Sequence, residues 1–400
     1  MATAEIIQPK TGIDILHAGR RLRRCYSVHR AILRTLSGWM IAAPRFEDKY
    51  EFAYHLWDHA QHAQVVQHRI KELRGGLADA NLSSALAELL EEITHAGNTE
   101  EMIEGVYLEL LPALAQEYEF FLQAGDRAAN APEIALARRI LADLYHQMEW
   151  ATQRIAGEPH SAWRRYIHAK VQAAYAGEGP LDSRNQPDTP VSRPHRERFQ
   201  RAATIIVDDR LRRGGLLSLD QRQALDYDHE LVEQFRVYFN EIYAACILAS
   251  IIFDASADAP LEFIVDVAHQ CWDEARHSQF GHMRLTELGV PPDRYDPILY
   301  EQIEGLPVLH RFCHLTLNLE PFFMPRKRPR VMQYEQAGDT RSRLFADVDW
   351  SDEINHVRYG TQWMEWFLKD DARDVDDIKT EIATHVERFT RSSNAPMSPF

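Results

Sequence analysis

Cysteine is scarce in this sequence, and the few cysteines form no recognisable motif. The 400 residues contain only four, none in C-x-x-C spacing: Cys25, Cys246, Cys271 and Cys313. Scattered thiols of this kind build neither a disulfide framework nor a zinc knuckle. We therefore expect reduced, mostly buried cysteines that take no part in chemistry.

Positive charge and long apolar runs are also lacking. The chain carries 45 basic and 60 acidic residues, a formal net charge of −15, which opposes binding to a phosphate backbone. No stretch of ~18 apolar residues suggests a membrane span. The amino-terminal residues lack the basic and then apolar pattern of a secretory signal. The sequence thus predicts a cytoplasmic protein with no nucleic-acid and no membrane partner.

Several catalytic signatures are missing, and so is the alternation typical of β-strands. The sequence contains no P-loop, no glycine-rich dinucleotide fingerprint and no recognisable Ser/His/Asp arrangement. Long stretches rich in Ala, Leu, Glu, Arg and Gln instead repeat apolar residues with the period of an α-helix. The predicted fold class is all-α. Helices are predicted near residues 14–40, 46–74, 83–122 (interrupted), 133–156, 160–176, 219–253, 260–288, 296–332 (interrupted), 340–369 and 374–390.

A short phrase occurs twice in the chain, which indicates an internal repeat. LWDHAQHAQ (56–64) and CWDEARHSQ (271–279) are offset by 215 residues, with five of eight positions identical from the tryptophan onward. Between the copies, the Gly/Pro/Ser-rich stretch 177–195 loses the apolar period. We predict a degenerate four-helix bundle over 1–176, a linker over 177–200 and a second bundle over 201–400.

Two Glu-x-x-His pairs lie on apolar helix faces in the second half. Glu274 and His277 share the inward stripe of the helix near 260–288, and Glu353 and His356 that of the helix near 340–369. A buried carboxylate costs several kcal/mol unless it is paired or bound to a cation. These glutamates therefore require a partner inside the bundle.

The other two helices each offer one glutamate on the inward stripe. Thirty-three residues separate Glu241 from Glu274, and the same number separates Glu320 from Glu353. Two Glu-x-x-His pairs together with one glutamate from each remaining helix form the ligand set of a di-iron bundle. The second half therefore predicts a site for two metal ions.

Residues 230–368 resemble the ferritin-like superfamily of di-iron carboxylate proteins. Six residues match its ligand positions: Glu241, Glu274, His277, Glu320, Glu353 and His356. The DE-x-x-H-x-x-x-G form of the last helix resembles a poorly characterised bacterial branch of that superfamily. The resemblance implies two tandem ferritin-like bundles and two iron ions, with a manganese–iron pair as the alternative. It also implies that the four glutamates are the catalytic carboxylates.

One glutamate departs from a regular helix. Pro321 follows Glu320 directly and disfavours α conformation at that residue, so the third helix is expected to kink or begin there. Glu304 and His314 are the alternatives to Glu320 as a ligand.

The first half retains only part of the same pattern. At the repeat offset Tyr26 replaces the first glutamate, while a weaker second site is predicted from five residues: His59, His62, Glu109, Asp143 and His146. A neutral imidazole at position 59 cannot bridge two metals as a carboxylate does. We expect at most one metal there, and a hydrogen-bonded polar cluster without metal is the competing interpretation.

A basic run, PRKRPR (325–330), admits two interpretations. It is either a clamp for an anionic substrate or a solvated loop, and the composition favours the loop.

The metal set and the resemblance together imply a function. We expect a non-haem di-iron, or manganese–iron, oxygenase or oxidase that activates O₂ to oxidise a small organic substrate with an unidentified electron donor. The alternative is a non-catalytic ferritin-like protein that binds or handles iron. A fused, asymmetric pair of bundles is poorly suited to a symmetric storage cage, which favours the enzyme. A homodimer is compatible with the sequence.

Overall fold

The computed structural model describes residues 12–74, 82–157, 160–176 and 191–393, and within them the predicted all-α class is confirmed. The chain forms two compact units, each made of separate stretches. The first comprises Met1–Thr35 and Asp58–Gln200, and the second comprises Leu36–Trp57 and Arg201–Phe400. Residues 177–190 of the predicted linker lie outside the described residues, and the predicted division into two bundles and a linker stays a prediction.

The first unit is built from helices and one π-helical segment. Its elements are parts of α1 (Ile15–Ala42) and α2 (Phe46–Glu72), then α3 (Ser84–Glu92), α4 (Thr99–Ile103), π1 (Glu104–Leu110), α5 (Leu111–Ala124), α6 (Ala131–Arg154) and α7 (Ala162–Tyr175). The interruption predicted within 83–122 is confirmed, because α3, α4, π1 and α5 share that stretch.

The second unit contains the remaining parts of α1 and α2 and all later elements. These are β1 (Arg212–Arg213), α8 (Leu219–Gln223), α9 (Tyr227–Asn240), α10 (Ile242–Ala255), α11 (Leu261–Glu287), β2 (Arg294–Tyr295), α12 (Ile298–Ile303), α13 (Val308–Cys313), π2 (His314–Leu319), α14 (Glu320–Gln336), α15 (Thr340–Leu368) and α16 (Val375–Ser393). The two short strands pair in parallel, with Arg212 opposite Arg294.

Side-chain caps fix where several helices of the second unit begin. The Asp226 carboxylate accepts the amide of His229 at the start of α9, and Asp339 accepts that of Ser342 at the start of α15. Ser218 and Gln221 form a capping box at α8. Such contacts satisfy amides that a helix end leaves unpaired. They set the register in which the later residues of α9 and α15 face inward.

Two glycines allow the ligand-bearing helices to approach their neighbours closely. Gly281 lies four residues after His277, and a Cβ there would overlap the backbone of Phe239. Gly360 lies four residues after His356, and a Cβ there would overlap the side chain of Thr316. A larger residue would force either pair of helices apart, so both glycines help to hold the inward histidines in place.

One segment within the described residues, Tyr227–Ala255, is long and apolar enough to cross a membrane by length and composition alone. Most of its apolar window, 83%, is buried inside the protein. The core helix of a soluble protein passes the same test, so the segment is weak support for a membrane span.

Candidate metal centre

Helices α11 and α15 of the second unit carry the two Glu-x-x-His pairs on inward faces. His277 and His356 are fully buried, and Glu274 and Glu353 are almost so. Residues three apart on a helix share a face, so each glutamate lies beside the histidine of its own pair. The local spacing therefore directs four potential ligands toward the same interior.

The structure brings all six predicted ligands of this unit together. Three groups each have one ligand atom per residue within 4.8 Å of the others: Glu241–His277–Asp349, Glu274–His277–Glu353 and Glu274–Glu320–His356. Glu274 belongs to two of these groups. It therefore occupies the position expected of a carboxylate that contacts two cations.

Glu241 and Glu320 each stand at an irregularity of their helix. Glu241 lies between α9 and α10, and its amide donates to the carbonyl of Tyr238 at 3.0 Å, a tightened 3₁₀-type turn. Glu320 is the first residue of α14 and directly follows π2. Pro321 lies in the first turn of α14, where its missing N–H leaves no helical hydrogen bond unmade. The helix therefore begins at Glu320, as one of the two expected outcomes. Glu320 itself has α-helical dihedral angles, φ −61° and ψ −47°, so the expectation that Pro321 disfavours α conformation there is wrong.

The two alternatives to Glu320 lie in other contacts. Glu304 pairs with Arg201 at 2.8 Å, and His314 lies 3.4 Å from the side-chain amide of Asn318. Burial lowers the pKa of His314 to about 4. Glu320, by contrast, accepts a 2.7 Å hydrogen bond from Gln270 through Oε1 and lies 3.3 Å from Nδ1 of His356.

Several buried polar atoms of this cluster have no hydrogen-bond partner. They are Nδ1 of His277, Nδ1 of His356, and Oε2 of Glu241, Glu320 and Glu353. A buried polar atom left without a partner normally costs about 1–3 kcal/mol. All five atoms belong to the residues of the three groups, and imidazole nitrogens and carboxylate oxygens are the donors that iron and manganese accept. The residues present therefore fit a pair of such cations.

Two aspartates hold the outer nitrogens of the ligand histidines. Asp352 lies 3.2 Å from Nε2 of His277, and Asp273 lies 3.3 Å from Nε2 of His356. Each contact leaves Nδ1 of the ring for the cluster. A carboxylate on the far nitrogen fixes the orientation of a metal-binding imidazole and raises its basicity.

Asp349 is a seventh polar residue of the cluster that the sequence analysis did not identify. It is fully buried, accepts a 2.9 Å hydrogen bond from the Tyr238 hydroxyl, and lies 3.7 Å from Nδ1 of His277. Asp349 precedes Glu353 by one helical turn, so the same inward stripe that indicated Glu353 also included it.

The interpretation of the basic run 325–330 as a solvated loop is wrong. The run lies inside α14, and Nζ of Lys327 is 2.7 and 2.8 Å from the two oxygens of Asp349 and 3.1 Å from Glu353. Pro325 and Pro329 are both accommodated within the helix. The run therefore supplies a buried cation to the cluster.

The crowded carboxylates hold protons more tightly than usual. Burial raises the pKa of Glu241 to about 8, and the neighbouring Glu274 and Asp349 charges add to the shift. Burial likewise raises the pKa of Glu320 to about 8, with Glu353 and Glu274 adding to it. These directions are those of carboxyl groups that need a cation to ionise.

The ligand histidines are shifted toward the charged form. Burial alone lowers the pKa of His277, but the nearby carboxylates of Asp352, Glu241 and Glu274 raise it well above its usual value. The pKa of His356 is also raised well above its usual value, because the effects of Glu320 and Asp273 exceed the opposite effect of burial. The carboxylates around each ring therefore stabilise positive charge at this cluster.

An open pocket reaches the cluster from one side. It is lined by residues of α8, α9, α14 and α15, including the ligand candidates Glu241 and Glu353. Val237, Phe323 and Ala346 form apolar parts of its wall. Its mixed apolar and charged lining suits a small organic molecule.

In the first unit, three buried histidines come together: His29, His59 and His62. Nδ1 of His29 is 2.7 Å from Nδ1 of His59, and Nε2 of His29 is 2.8 Å from the Tyr118 hydroxyl. Nε2 of His62 is hydrogen-bonded to Asp143 at 2.9 Å. Burial, together with His59 and His62, lowers the pKa of His29 well below its usual value, so the ring is neutral.

The other residues predicted for the first unit lie elsewhere. Glu109 accepts from Arg164 at 2.6 Å and lies 2.8 Å from His168, while His146 is exposed. Tyr26 accepts a hydrogen bond from Arg30. His29 was missed because repeat matching places it opposite Ala244, although it lies one turn after Tyr26 on the same helix.

No known family model, curated protein or solved structure matches this chain.

Proposed function

We propose that the second unit is a ferritin-like di-iron oxidoreductase that uses O₂ to oxidise a small organic substrate, with a manganese–iron pair as the alternative metal content. The observation that carries the proposal is the convergence of buried, unpartnered imidazole and carboxylate atoms on one interior, with Glu274 common to two groups. Clusters with perturbed pKa values in a cleft are candidates for function.

The bound metals would supply the reduction of O₂ and the oxidising equivalents for the substrate. The chain's own residues bind, orient and exclude water. Glu241, Glu320 and Glu353 offer negative charge, and Asp273 and Asp352 orient the two imidazoles. Lys327 balances the carboxylates nearest the pocket. The pocket gives a small molecule access to that side of the cluster.

The competing proposal is a non-catalytic protein that binds or handles iron. The pocket favours the enzyme, because iron storage requires no apolar-walled pocket beside the ligands. The electron donor, the cytoplasmic location and a homodimer stay predictions.

Anaerobic reconstitution of the full chain with ferrous iron tests the proposal. We expect two iron ions per chain in the second unit, at most one more in the first, and O₂ consumption that rises when a substrate is supplied. Elemental analysis and an oxygen electrode measure both quantities. Iron uptake far above this number, with no substrate-dependent O₂ consumption, supports iron handling and overturns the enzyme.

A further inference from the structure

The pocket beside the metal-ligand carboxylates carries a concentration of positive charge. Four cationic side chains line it: Arg222, Arg326, Lys327 and Arg330. Lys327 is neutralised by Asp349 and Glu353. Arg222 has no such partner, and it is the more deeply buried of the arginines in this wall.

Arg222 is a buried guanidinium whose hydrogen-bonding capacity is only partly used. Its side chain is 3% exposed, one Nη1 bond goes to the carbonyl of Leu217 at 2.7 Å, and Nε has no hydrogen-bond partner. Burial, together with the nearby charge of Arg330, lowers the pKa of Arg222 to about 10. A buried cation normally has a paired anion, because an uncompensated one costs several kcal/mol.

The acidic side chains whose charges act on Arg222 already have other partners. Glu230 pairs with Arg330 at 3.5 Å and accepts from Gln333 at 3.0 Å. Glu233 pairs with Arg294 at 2.7 Å and also with Arg236. Arg222 therefore forms no ion pair with these neighbours or with any other of the described residues. An anion that is not part of the chain would provide the missing negative charge.

Arg222 and Arg330 lie beside the candidate metal ligands but contact other groups. Arg330 contacts Glu230 and follows Lys327, which pairs with Glu353, by three residues along α14. At 1.5 Å per helical residue, Arg330 is about one turn, ~4.5 Å, beyond Lys327. Val237, Phe323 and Ala346 contribute apolar wall to the same pocket. The pocket therefore combines two arginines, apolar wall and the candidate ligands Glu241 and Glu353.

We infer that Arg222 and Arg330, here called the Arg222 subsite, bind the carboxylate of the substrate, and that the substrate is a small organic acid with an apolar body. A guanidinium presents paired N–H donors that match a carboxylate. The carboxylate fixes one end of the molecule, and a carbon several bonds away lies beside Glu241 and Glu353. The inference rests on the proposed function only for the reaction at the carbon beside Glu241 and Glu353.

Isothermal titration of the full chain with matched probes tests the subsite without any turnover. The probes are octanoate and 1-octanol, which share a chain and differ in charge, with octyl phosphate as a second anion. We expect octanoate to bind about 10–100-fold more tightly than 1-octanol, the range of a charge-assisted hydrogen bond. Arg222→Gln should remove that difference and leave 1-octanol unaffected. Arg222→Lys should restore part of it.

Arg328→Gln is the matched control, because Arg328 lies in the same basic run, is exposed and does not line the pocket. It should leave all three affinities unchanged, and a melting curve confirms that each variant is folded. Equal binding of octanoate and 1-octanol to the native chain overturns the inference. So does octanoate binding that survives Arg222→Gln, or tighter binding of octyl phosphate than of octanoate.

The titration separates this inference from the proposed function. Selective binding of octanoate without metal-dependent O₂ consumption retains the subsite and rejects the oxygenase. Metal-dependent O₂ consumption without preferential binding of octanoate rejects the subsite and retains the oxygenase.

Discussion

Oδ2 of Asp273 lies 3.3 Å from Nε2 of His356, on the other ligand helix. The converse contact joins Asp352 to Nε2 of His277 at 3.2 Å. Each Glu-x-x-His pair is thus preceded by an aspartate that orients the histidine of the opposite pair. Rotation of either helix would displace both imidazoles at once, so the two halves of the ligand set are mechanically linked.

The first prediction concerns these aspartates. Asp273→Asn or Asp352→Asn should weaken metal binding by about 10–100-fold, because the imidazole loses its charged anchor while the ligand atoms stay in place. Competition against a chelator of known affinity measures the change. Asp347→Asn, at an exposed position of α15, is the control and should have no effect. Equal affinity in all variants would show that the two contacts do not support a metal.

The second prediction distinguishes the two units. Glu274→Ala should abolish the paired site and any O₂ chemistry, because Glu274 is common to two ligand groups. His59→Ala should leave the metals of the second unit bound and cost about 1–3 kcal/mol of stability through partners left without hydrogen bonds. Metal content and O₂ consumption of both variants are the measurements. If His59→Ala eliminates turnover and Glu274→Ala spares it, the active unit has been assigned wrongly.

The third prediction is a pH-dependent effect of metal on stability. In the metal-free protein, Glu241 and Glu320 keep their protons to about pH 8, whereas in the unfolded chain they release them near pH 4.5. His277 and His356 likewise stay charged above the pH at which unfolded histidine loses its proton. The folded site therefore binds more protons, and its contribution to stability falls as pH rises from about 5 to 8.

Metal ions displace those protons and remove this loss. The rise in melting temperature on adding ferrous iron anaerobically should therefore be larger at pH 8 than at pH 5.5. Scanning calorimetry of chelated and reconstituted protein at both values checks this. A chelated sample, shown to lack metal, that melts like the reconstituted one at pH 8 would contradict the prediction.

The fourth prediction concerns the buried ammonium. Lys327→Met should lower the free energy of unfolding of the metal-free protein by about 3–5 kcal/mol, since it leaves the Asp349 and Glu353 carboxylates without their cation. Adding Asp349→Asn should recover part of the loss, because one buried charge disappears. Arg328→Met, next along the chain and exposed, serves as the control. Urea unfolding measures all four proteins. Equal losses in the Lys327 and Arg328 variants would show that Lys327 does not balance the cluster.

The six residues of the second unit were predictable because their signal is local. A spacing of three on an amphipathic helix fixes which side chains share a face, whatever the rest of the fold does. Asp349 was available from the same stripe and was overlooked. The sequence offers no such guide to Lys327. Its helix has two prolines in its interior, which local propensity disfavours, and packs against α15.

The composition of the compact units was less accessible to sequence reasoning. Residues 36–57 belong to the second unit, although they lie far from it in the chain. Periodicity shows that α1 and α2 have buried faces, yet it does not show what covers them. His29 was missed for a related reason. Matching the two copies at a fixed offset of 215 residues finds only those ligands that occupy the same position in both copies.

The π-helical segments have a consequence for natural variation in this chain. Glu109 lies within π1, and Glu320 follows π2 directly. A π-helical turn contains one residue more than the α-helical turn that would span the same place in the helix. Deleting a single residue from 314–319 would therefore let ordinary α-helix form and leave the turns on either side in nearly the same orientation. Glu320 would keep its place beside His356, so this segment should tolerate the loss of one residue. The regular helices that carry Glu274 and Glu353 should not, because a deletion there turns the residues that follow by about 100°.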